Sequence, residues 1–451
     1  MQAKRQLQQQ IEHKNSAGLV QNWTVSDLLR MMELYDAERA FVIYRDGDFI
    51  SSHPEMLNPV QAFLETSNDF DEHEGVFFGR ENGVDTVFFA FVHNTKRGLA
   101  QGGLRFMKYG NIAALLSDGL RLSRGMTRKN ALADLWWGGG KGIMPLPVGY
   151  GEASQIKDPV ERRRLFEAYG RFVASLDGLY YTAEDMGTSP EDMKAVHSVN
   201  RFTTCIPAEI GGSGNPSPFT ARGVFRAIEA AWTVLKGSKN LLGVKVAVQG
   251  AGNVGTPLVC ELADSGAEVW VADVPAIKNR LEELKRDRPN VHIVDNPDEV
   301  YDLDVDIFSP CWRGAVINQT TIPRLKAKLI CGAANNILSE EADADRLKAR
   351  GIEYVPDYVC NRMGIVNCAD EWMGYLPEDI SLAADRVYPD TLKIFDYARG
   401  LNITTAEAAN QLADKAAGAL HPIMGHRGRR IIEHLLKSDW AGLFSKGAAA
   451  A

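Results

Sequence analysis

Cysteine is sparse in this chain and never clustered. The six, Cys205, Cys260, Cys311, Cys331, Cys360 and Cys368, form no CxxC pair and no Cys/His group. That argues against a metal site and against a disulfide frame, and leaves reduced core thiols of a cytoplasmic protein as the expectation. Long apolar runs are lacking as well. The longest, Val87 to Val92, is far too short to span a bilayer. The opening Met1-Gln2-Ala3-Lys4-Arg5-Gln6 leads into a Gln-rich stretch without the apolar core of a signal peptide. Basic charge is not in surplus: 50 Lys and Arg against 58 Asp and Glu leave a net −8, which disfavours nucleic acid and membrane as partners. No internal repeat stands out, and low complexity is confined to residues 8–10 and 448–451.

What is present suits a globular protein. The 451 residues, 45% hydrophobic and 24% charged, are enough for two domains with separate cores. The most informative feature is a pair of lysines twelve residues apart, Lys129 and Lys141. The stretch from Asn111 to Leu135 reads as a helix capped by Asn111, with Leu115, Leu122, Met126, Lys129 and Ala133 on one face. Lys129 thus falls on an apolar stripe, where an ammonium needs an anionic partner. Lys141, in Trp136-Trp137-Gly138-Gly139-Gly140-Lys141-Gly142, reads as a lysine in a glycine-lined turn that lets backbone approach a ligand. Shielding and a neighbouring cation should lower its pKa, so that it can act as a base near neutral pH. The pair points to an enzyme acting on a small anion.

The boundary signal is Gly211-Gly212-Ser213-Gly214-Asn215-Pro216-Ser217-Pro218, a dense run of turn residues. Before it, strand-like runs such as 40–44 and 87–92 precede the lysine helix. After it, a helix near 220–235 is followed by alternating elements: strands at 244–249, 268–272, 307–309 and 329–331, helices at 253–264 and 277–286. That alternation predicts a doubly wound parallel sheet. Gly250-Ala251-Gly252-Asn253-Val254-Gly255 matches G-x-G-x-x-G between strand and helix, and Asp273 ends the next strand. A dinucleotide fold needs that context: backbone near the pyrophosphate, a helix N-terminus facing it, an acid on the ribose. Asp273 would repel a 2′-phosphate, which favours NAD over NADP, with Lys278 and Arg280 nearby as a counterweight.

A strand from Tyr180 to Ala183 ends in Glu184-Asp185-Met186-Gly187-Thr188, and a helix begins at Ser189-Pro190. A carboxylate there is well placed to enter a cleft. Singly, Asp185 reads as a solvated turn acid, Lys141 as a loop lysine and Lys129 as a snorkelling helix lysine. Together, beside a dinucleotide turn, they suit oxidation of an amine to an imine and its hydrolysis.

These segments carry a resemblance. Gly102-Gly103-Leu104-Arg105, Gly125-Met126-Thr127-Arg128-Lys129-Asn130-Ala131, the Gly138–Gly142 run, Thr182–Thr188, Gly212–Pro218, the Gly250–Gly255 turn, Pro356–Val359 and Asn367–Glu371 occur in the order found in one superfamily. The chain resembles the glutamate, leucine, phenylalanine and valine dehydrogenases, most of all the leucine/phenylalanine branch. The resemblance implies an α/β fold in two domains with a cleft between them. Residues 1–216 would be an N-terminal extension plus a substrate-binding and oligomerisation domain, 217–368 a Rossmann NAD-binding domain, and 369–451 helices packing back on the first. It also implies that Lys129 binds the substrate carboxylate, that Lys141 activates water, and that Asp185 assists proton transfer. The Gly102-Gly103 backbone would lie beside the substrate. Asn336 would contact substrate or nicotinamide ribose, and Thr220 the carboxamide, with Gly250, Gly252, Asn253, Val254, Gly255 and Asp273 holding the dinucleotide. Partners would be a small-molecule amino acid or 2-oxo acid and further copies of the chain.

Glutamate-specific members carry a lysine before the Gly-Gly pair; here stands Gln101, and Cys368 replaces a helping serine. Glutamate would leave a charge unpaired, a penalty of roughly several kcal/mol. With Ala183, Ile365 and Cys368 completing the inferred pocket, a neutral side chain fits best, branched aliphatic first and aromatic second. A non-catalytic nucleotide-binding regulator on the same fold is the rival reading. Trp136-Trp137, Asn335 and Arg362-Met363 depart from the family pattern. Residues before about 70 are expected to be an oligomer-forming or regulatory addition, and His426, Arg427, Arg429 and Arg430 a solvated helix face or subunit contact.

Overall fold

A computed structural model of the chain describes residues 20–372 and 374–444. The expected low-complexity stretches at 8–10 and 448–451 lie outside these. The chain divides into two compact units, one of residues 1–214 and 415–451, the other of residues 215–414.

The first unit holds a seven-stranded mixed sheet in the order β2-β1-β3-β4-β6-β5-β7. Its strands are β1 (Arg39–Arg45), β2 (Asp48–Ser51), β3 (Gly75–Gly79), β4 (Phe88–Asn94), β5 (Ala100–Met107), β6 (Gly138–Pro145) and β7 (Tyr180–Glu184). Antiparallel pairing runs from β2 to β6, and β5 then joins β6 and β7 in parallel. Helices α1 (Val25–Leu34), α2 (Pro54–Thr66) and α3 (Ile112–Leu132) cover one face, with Leu28, Met32, Val60, Phe78, Phe89, Phe91, Leu116 and Ile143 in a shared core. Helix α4 (Pro159–Ala174) supplies Tyr169 and Phe172 to the other, where both rings meet Phe88. The segment expected as an addition is therefore built into the sheet: β1, β2, α1 and α2 all come from it. A capping box between Thr24 and Asp27 starts α1, satisfying backbone donors that would otherwise be orphaned.

The second unit holds six parallel strands in the order β10-β9-β8-β11-β12-β13. They are β8 (Lys245–Gln249), β9 (Glu268–Ala272), β10 (Val291–Val294), β11 (Ile307–Pro310), β12 (Leu329–Ile330) and β13 (Glu353–Tyr354). Counted from β8, this is the 3-2-1-4-5-6 order of a dinucleotide-binding fold. Helix α5 (Pro190–His197) follows β7 in the first unit and α6 (Ser217–Lys236) opens the second; α7 (Gly255–Asp264) and α8 (Lys278–Asp287) follow β8 and β9. Against expected divisions at 216/217 and 368/369, the units separate at 214/215 and 414/415. The helices Pro377–Asp385 and Val387–Leu401 group with the second unit because both pack on α6, with Arg226 paired to Asp385 and Thr233 hydrogen-bonded to Tyr388. Residues beyond 414 do pack on the first unit: Trp440 lies against Phe41 and Phe77, and Arg429 pairs with Asp46. Cys260, Cys311, Cys331 and Cys360 are free thiols, but Cys205 and Cys368 are disulfide-bonded, which corrects the expectation of six reduced thiols. Among the described residues, no helix is long and apolar enough to cross a membrane.

Candidate active site

The candidate charged groups of the first unit meet on the α3 side of the sheet, where Arg105 reaches Asp118 of that helix. Lys141 is not in a turn, as the glycine run suggests, but in the buried strand β6, opposite Phe91 of β4. Glycines dominate that strand because neighbours press on it from both sides. A Cβ at Gly139 would strike Thr127 of α3, and one at Gly142 the hydroxyl of Tyr169. Close backbone approach, not turn formation, is what these glycines serve. Next door on β5, a Cβ at Gly102 would collide with the Gly140 carbonyl, and one at Gly103 would meet Asp185 at 2.7 Å. The Gly102 carbonyl is tied down by the buried Tyr180 hydroxyl, which donates to it at 2.5 Å.

Strand alternation then aligns the candidates. On β5, Gln101 pairs with Gly139 and Tyr181, and Gly103 with Ala183 of β7. Asp185 follows β7 directly, where Thr188 Oγ1 accepts from the Asp185 backbone N–H at 2.9 Å and donates back to its carbonyl at 2.8 Å. Ser189 caps α5 immediately after, with Pro190 in its first turn. The result is a direct ion pair: Lys141 Nζ donates to Asp185 Oδ2 at 2.8 Å, and Lys141 is only 4% exposed.

Three residues that sequence reasoning left without a role complete this centre. Arg105 Nε donates to the same Asp185 oxygen at 3.0 Å, Arg105 Nη1 reaches both oxygens of Asp118 at 3.1 Å, and Tyr109 donates to Asp118 Oδ2 at 2.6 Å. A signal existed for two of them. Arg105 follows Gln101 and Gly103 at period two on β5, and Asp118 lies at helical spacing from Leu122 on α3. Burial pushes the Lys141 ammonium below its ordinary range, opposed by Asp185 and aided by Arg105. For Asp185, burial alone would raise the carboxyl, but Lys141 and Arg105 outweigh it and hold it well below the usual carboxylate range. Such a centre offers a base-competent amine beside a permanently ionised acid.

Helix α3 is capped as expected, the Asn111 side chain accepting from Ala114 N at 2.8 Å. Its buried stripe is rotated from the expected one, and runs through Leu116, Leu120, Ser123, Thr127 and Asn130. Leu122, Met126, Lys129 and Ala133 line the half-buried rim instead. The hydroxyls of Ser123 and Thr127 fit the core because they bond to helix carbonyls and to His93. Gln101 is buried next to Asn130, whose Nδ2 donates to Gly138 O at 2.7 Å and whose Oδ1 is a buried oxygen with no hydrogen-bond partner. Trp137 packs edge-on against Tyr181, whereas Trp136 stays exposed beneath Arg97.

The second unit carries the dinucleotide elements. Gly250 has φ +104, a conformation only glycine adopts readily, and a Cβ at Gly255 would fall on the Gly250 carbonyl. Nothing lies within 4 Å of a Cβ built on Gly252, so the backbone there is open to a ligand at the head of α7, after Asn253 and Val254. Asp273 accepts from Ala251 N and Val274 N, both at 2.6 Å, and so sets the turn itself; Arg280 donates to Ala251 O. These features fit a dinucleotide: free helix N–H groups, a cradle without side chains, and an acid at the strand end. Thr220 is buried on α6, bonded to Pro216 O. Asn336 is exposed, left-handed at φ +52, and tethered by its N–H to Asp357. Ile365 and Cys368 are buried on the helix Met363–Asp370. Lys141, Asp185, Gln101, Gly102, Gly103 and Ala183 are thus together in the first unit, with Lys129 on the α3 rim, while Thr220, Asn336, Ile365 and Cys368 belong to the second. Among the described residues, no cluster of His, Cys, Asp and Glu could hold a metal ion.

A parallel sheet with a dinucleotide turn, joined in one chain to a buried Lys–Asp pair, defines a nicotinamide-dependent oxidoreductase. Residues 211–381 match the Glutamate/Leucine/Phenylalanine/Valine dehydrogenase family, and residues 78–201 its dimerisation domain. The chain is 40% identical to a leucine dehydrogenase of Thermoactinomyces intermedius over 338 residues, 74% of this chain and 88% of that protein. It is 39% identical to an L-tryptophan dehydrogenase of Nostoc punctiforme over 344 residues, covering 76% and 92%. The crystal structure of L-tryptophan dehydrogenase from Nostoc punctiforme superposes with a TM-score of 0.66 at 35% identity, covering 83% of this chain and 99% of that one. This chain belongs to the glutamate/leucine/phenylalanine/valine dehydrogenase family, and is an NAD-dependent L-amino-acid dehydrogenase.

Proposed function

We propose that the chain catalyses the reversible oxidative deamination of a neutral L-amino acid, branched aliphatic side chains favoured, to its 2-oxo acid and ammonia. The observation that carries the reading is the buried Lys141–Asp185 contact at 2.8 Å. When bound through Gly250, Gly252, Asn253, Val254, Gly255 and Asp273, with Thr220 and Asn336 at the nicotinamide end, NAD supplies the two-electron acceptor for the α-carbon hydride. Lys129 would hold the substrate carboxylate. Lys141, made basic at lower pH by burial, would take a proton from water as its oxygen adds to the imine carbon. Asp185 would pass protons to and from the substrate nitrogen, so that ammonia leaves and the carbonyl forms. Domain roles follow: residues 1–214 and 415–451 for substrate and assembly, 215–414 for the cofactor.

The preference for a neutral side chain rests on Gln101, which brings no cation to a buried position where glutamate would need one. The dimerisation-domain match supports a homo-oligomer. An NADH-forming assay over a panel of L-amino acids tests the reading. Turnover highest on leucine, valine or isoleucine is the expected result. Highest turnover on phenylalanine or tryptophan would move the assignment to aromatic substrates, a reading favoured by similarity to the Nostoc enzyme. NADH binding without turnover on any amino acid would replace it with a regulatory role.

A further inference from the structure

The Asp185 carboxylate is divided. Its Oδ2 takes both Lys141 Nζ and Arg105 Nε, whereas Oδ1 accepts no hydrogen bond among the described residues. Arg105 is a poor candidate for a mere surface ion pair. Its side chain is 17% exposed, and its guanidinium bridges two carboxylates on different elements, Asp185 after β7 and Asp118 on α3. Asp118 is itself fixed by the Tyr109 hydroxyl. A planar guanidinium held at both ends leaves the carboxylate it binds little rotational freedom.

We propose that Arg105, braced by Asp118 and Tyr109, is a positioning residue for this dehydrogenase: it fixes the Asp185 carboxylate so that one oxygen serves Lys141 and the other stays available to the substrate nitrogen. The inference rests on the amino-acid dehydrogenase reading and deepens it. Without Arg105 the carboxylate can rotate and close both oxygens on the Lys141 ammonium, which removes the acceptor for the substrate and anchors the base in its protonated form. Among the described residues the charged groups that face Lys141 are Asp185 after β7, Arg105 of β5 and Asp118 of α3, with Tyr109 behind, and Phe91 of β4 is its register partner. Arg105 disfavours the ammonium, while Asp185 and Asp118 favour it.

Opposite signs follow for two variants, and they separate positioning from simple structural support. Arg105→Gln should lower kcat on the order of tenfold to a hundredfold, leave KM for NAD unchanged, and move the acid limb of the kcat/KM profile to higher pH. Asp118→Asn should move that limb to lower pH with a smaller loss of kcat. Arg105→Lys, which keeps the charge but loses the fork, should hold the limb near its original pH and recover kcat only in part. The measurement is initial-rate NADH formation from pH 6 to 11, with thermal unfolding and NADH binding recorded for each protein. Should Arg105→Gln not fold, the limb in Asp118→Asn decides alone. Folded variants whose limbs stay in place, or shift the same way, overturn the role of Arg105. No NADH formation by the unaltered enzyme would instead overturn the amino-acid reading.

Discussion

The two sheets handle ligand chemistry in opposite ways. The six-stranded parallel sheet presents backbone: an open glycine turn, a helix start, and Asp273 committed to the turn's own N–H groups. Its strand interiors are almost wholly apolar, Val246, Val248, Val269, Val271 and Ile307 among them. The seven-stranded sheet presents side chains. It buries Lys141 and half-buries Asp185 and Arg105 at its β6–β5–β7 end, next to strands stripped to glycine so that they fit. Dipoles that suit a common dinucleotide can be built from main chain, which no substitution removes. A proton-transfer centre needs side chains with displaced pKa values, and these require burial that costs stability unless every charge is paired.

The largest test of this contrast is Lys141→Ala. Turnover should fall by about a thousandfold or more while NADH affinity, followed by fluorescence titration, stays within twofold. Substantial residual activity would remove the base assignment. Gly255→Ala should do the reverse. Its Cβ meets the Gly250 carbonyl, so NADH should bind roughly tenfold more weakly or worse, with the Lys141–Asp185 centre undisturbed. Binding equal to the parent would show that the turn can relax. Gln101→Leu acts within the substrate half and should shift relative kcat/KM toward apolar side chains by about tenfold; an unchanged substrate profile would place Gln101 outside the pocket.

The smallest effect concerns stability. Burial, then Asp192 and Asp185, push the Glu184 carboxyl up from its ordinary 4.5 to about 7. Between those values the folded state binds more protons than the unfolded, so this group makes stability fall as pH rises through that window, and the loss is complete above about 7. Glu184→Gln should therefore raise Tm more at pH 8 than at pH 4.5. An equal change at both would assign the strain elsewhere.

Some of these features are more legible in the sequence than others. The β8–turn–α7 unit was legible because glycine spacing, a β-branched run and a strand-ending acid are local signals that agree. The strand carrying Lys141 was not, since a glycine run reads as a turn until the rings and backbone that crowd it are known. Strands β10 and β13 escaped for brevity, four and two residues. The phase of α3 is not legible because its core stripe includes Ser123, Thr127 and Asn130, polar groups that helix carbonyls, His93 and the Gly138 carbonyl satisfy in the folded protein. Lys141 and Asp185 could be singled out by residue type, but the Arg105–Asp118 bridge joins positions that only the folded sheet brings within reach.

The origin of β1 and β2 has a consequence for any shortened form of the protein. Trimming the chain to its resemblance with the leucine branch, near residue 70, would leave β3 as a sheet edge, with those N–H and C=O groups along Gly75–Gly79 that face β1 unpaired. It would also uncover Phe78 and Phe89, which share a core with Leu28, Met32, Leu57 and Val60. An exposed apolar edge is a template for pairing with other chains, so such a fragment should precipitate instead of yielding a smaller working enzyme.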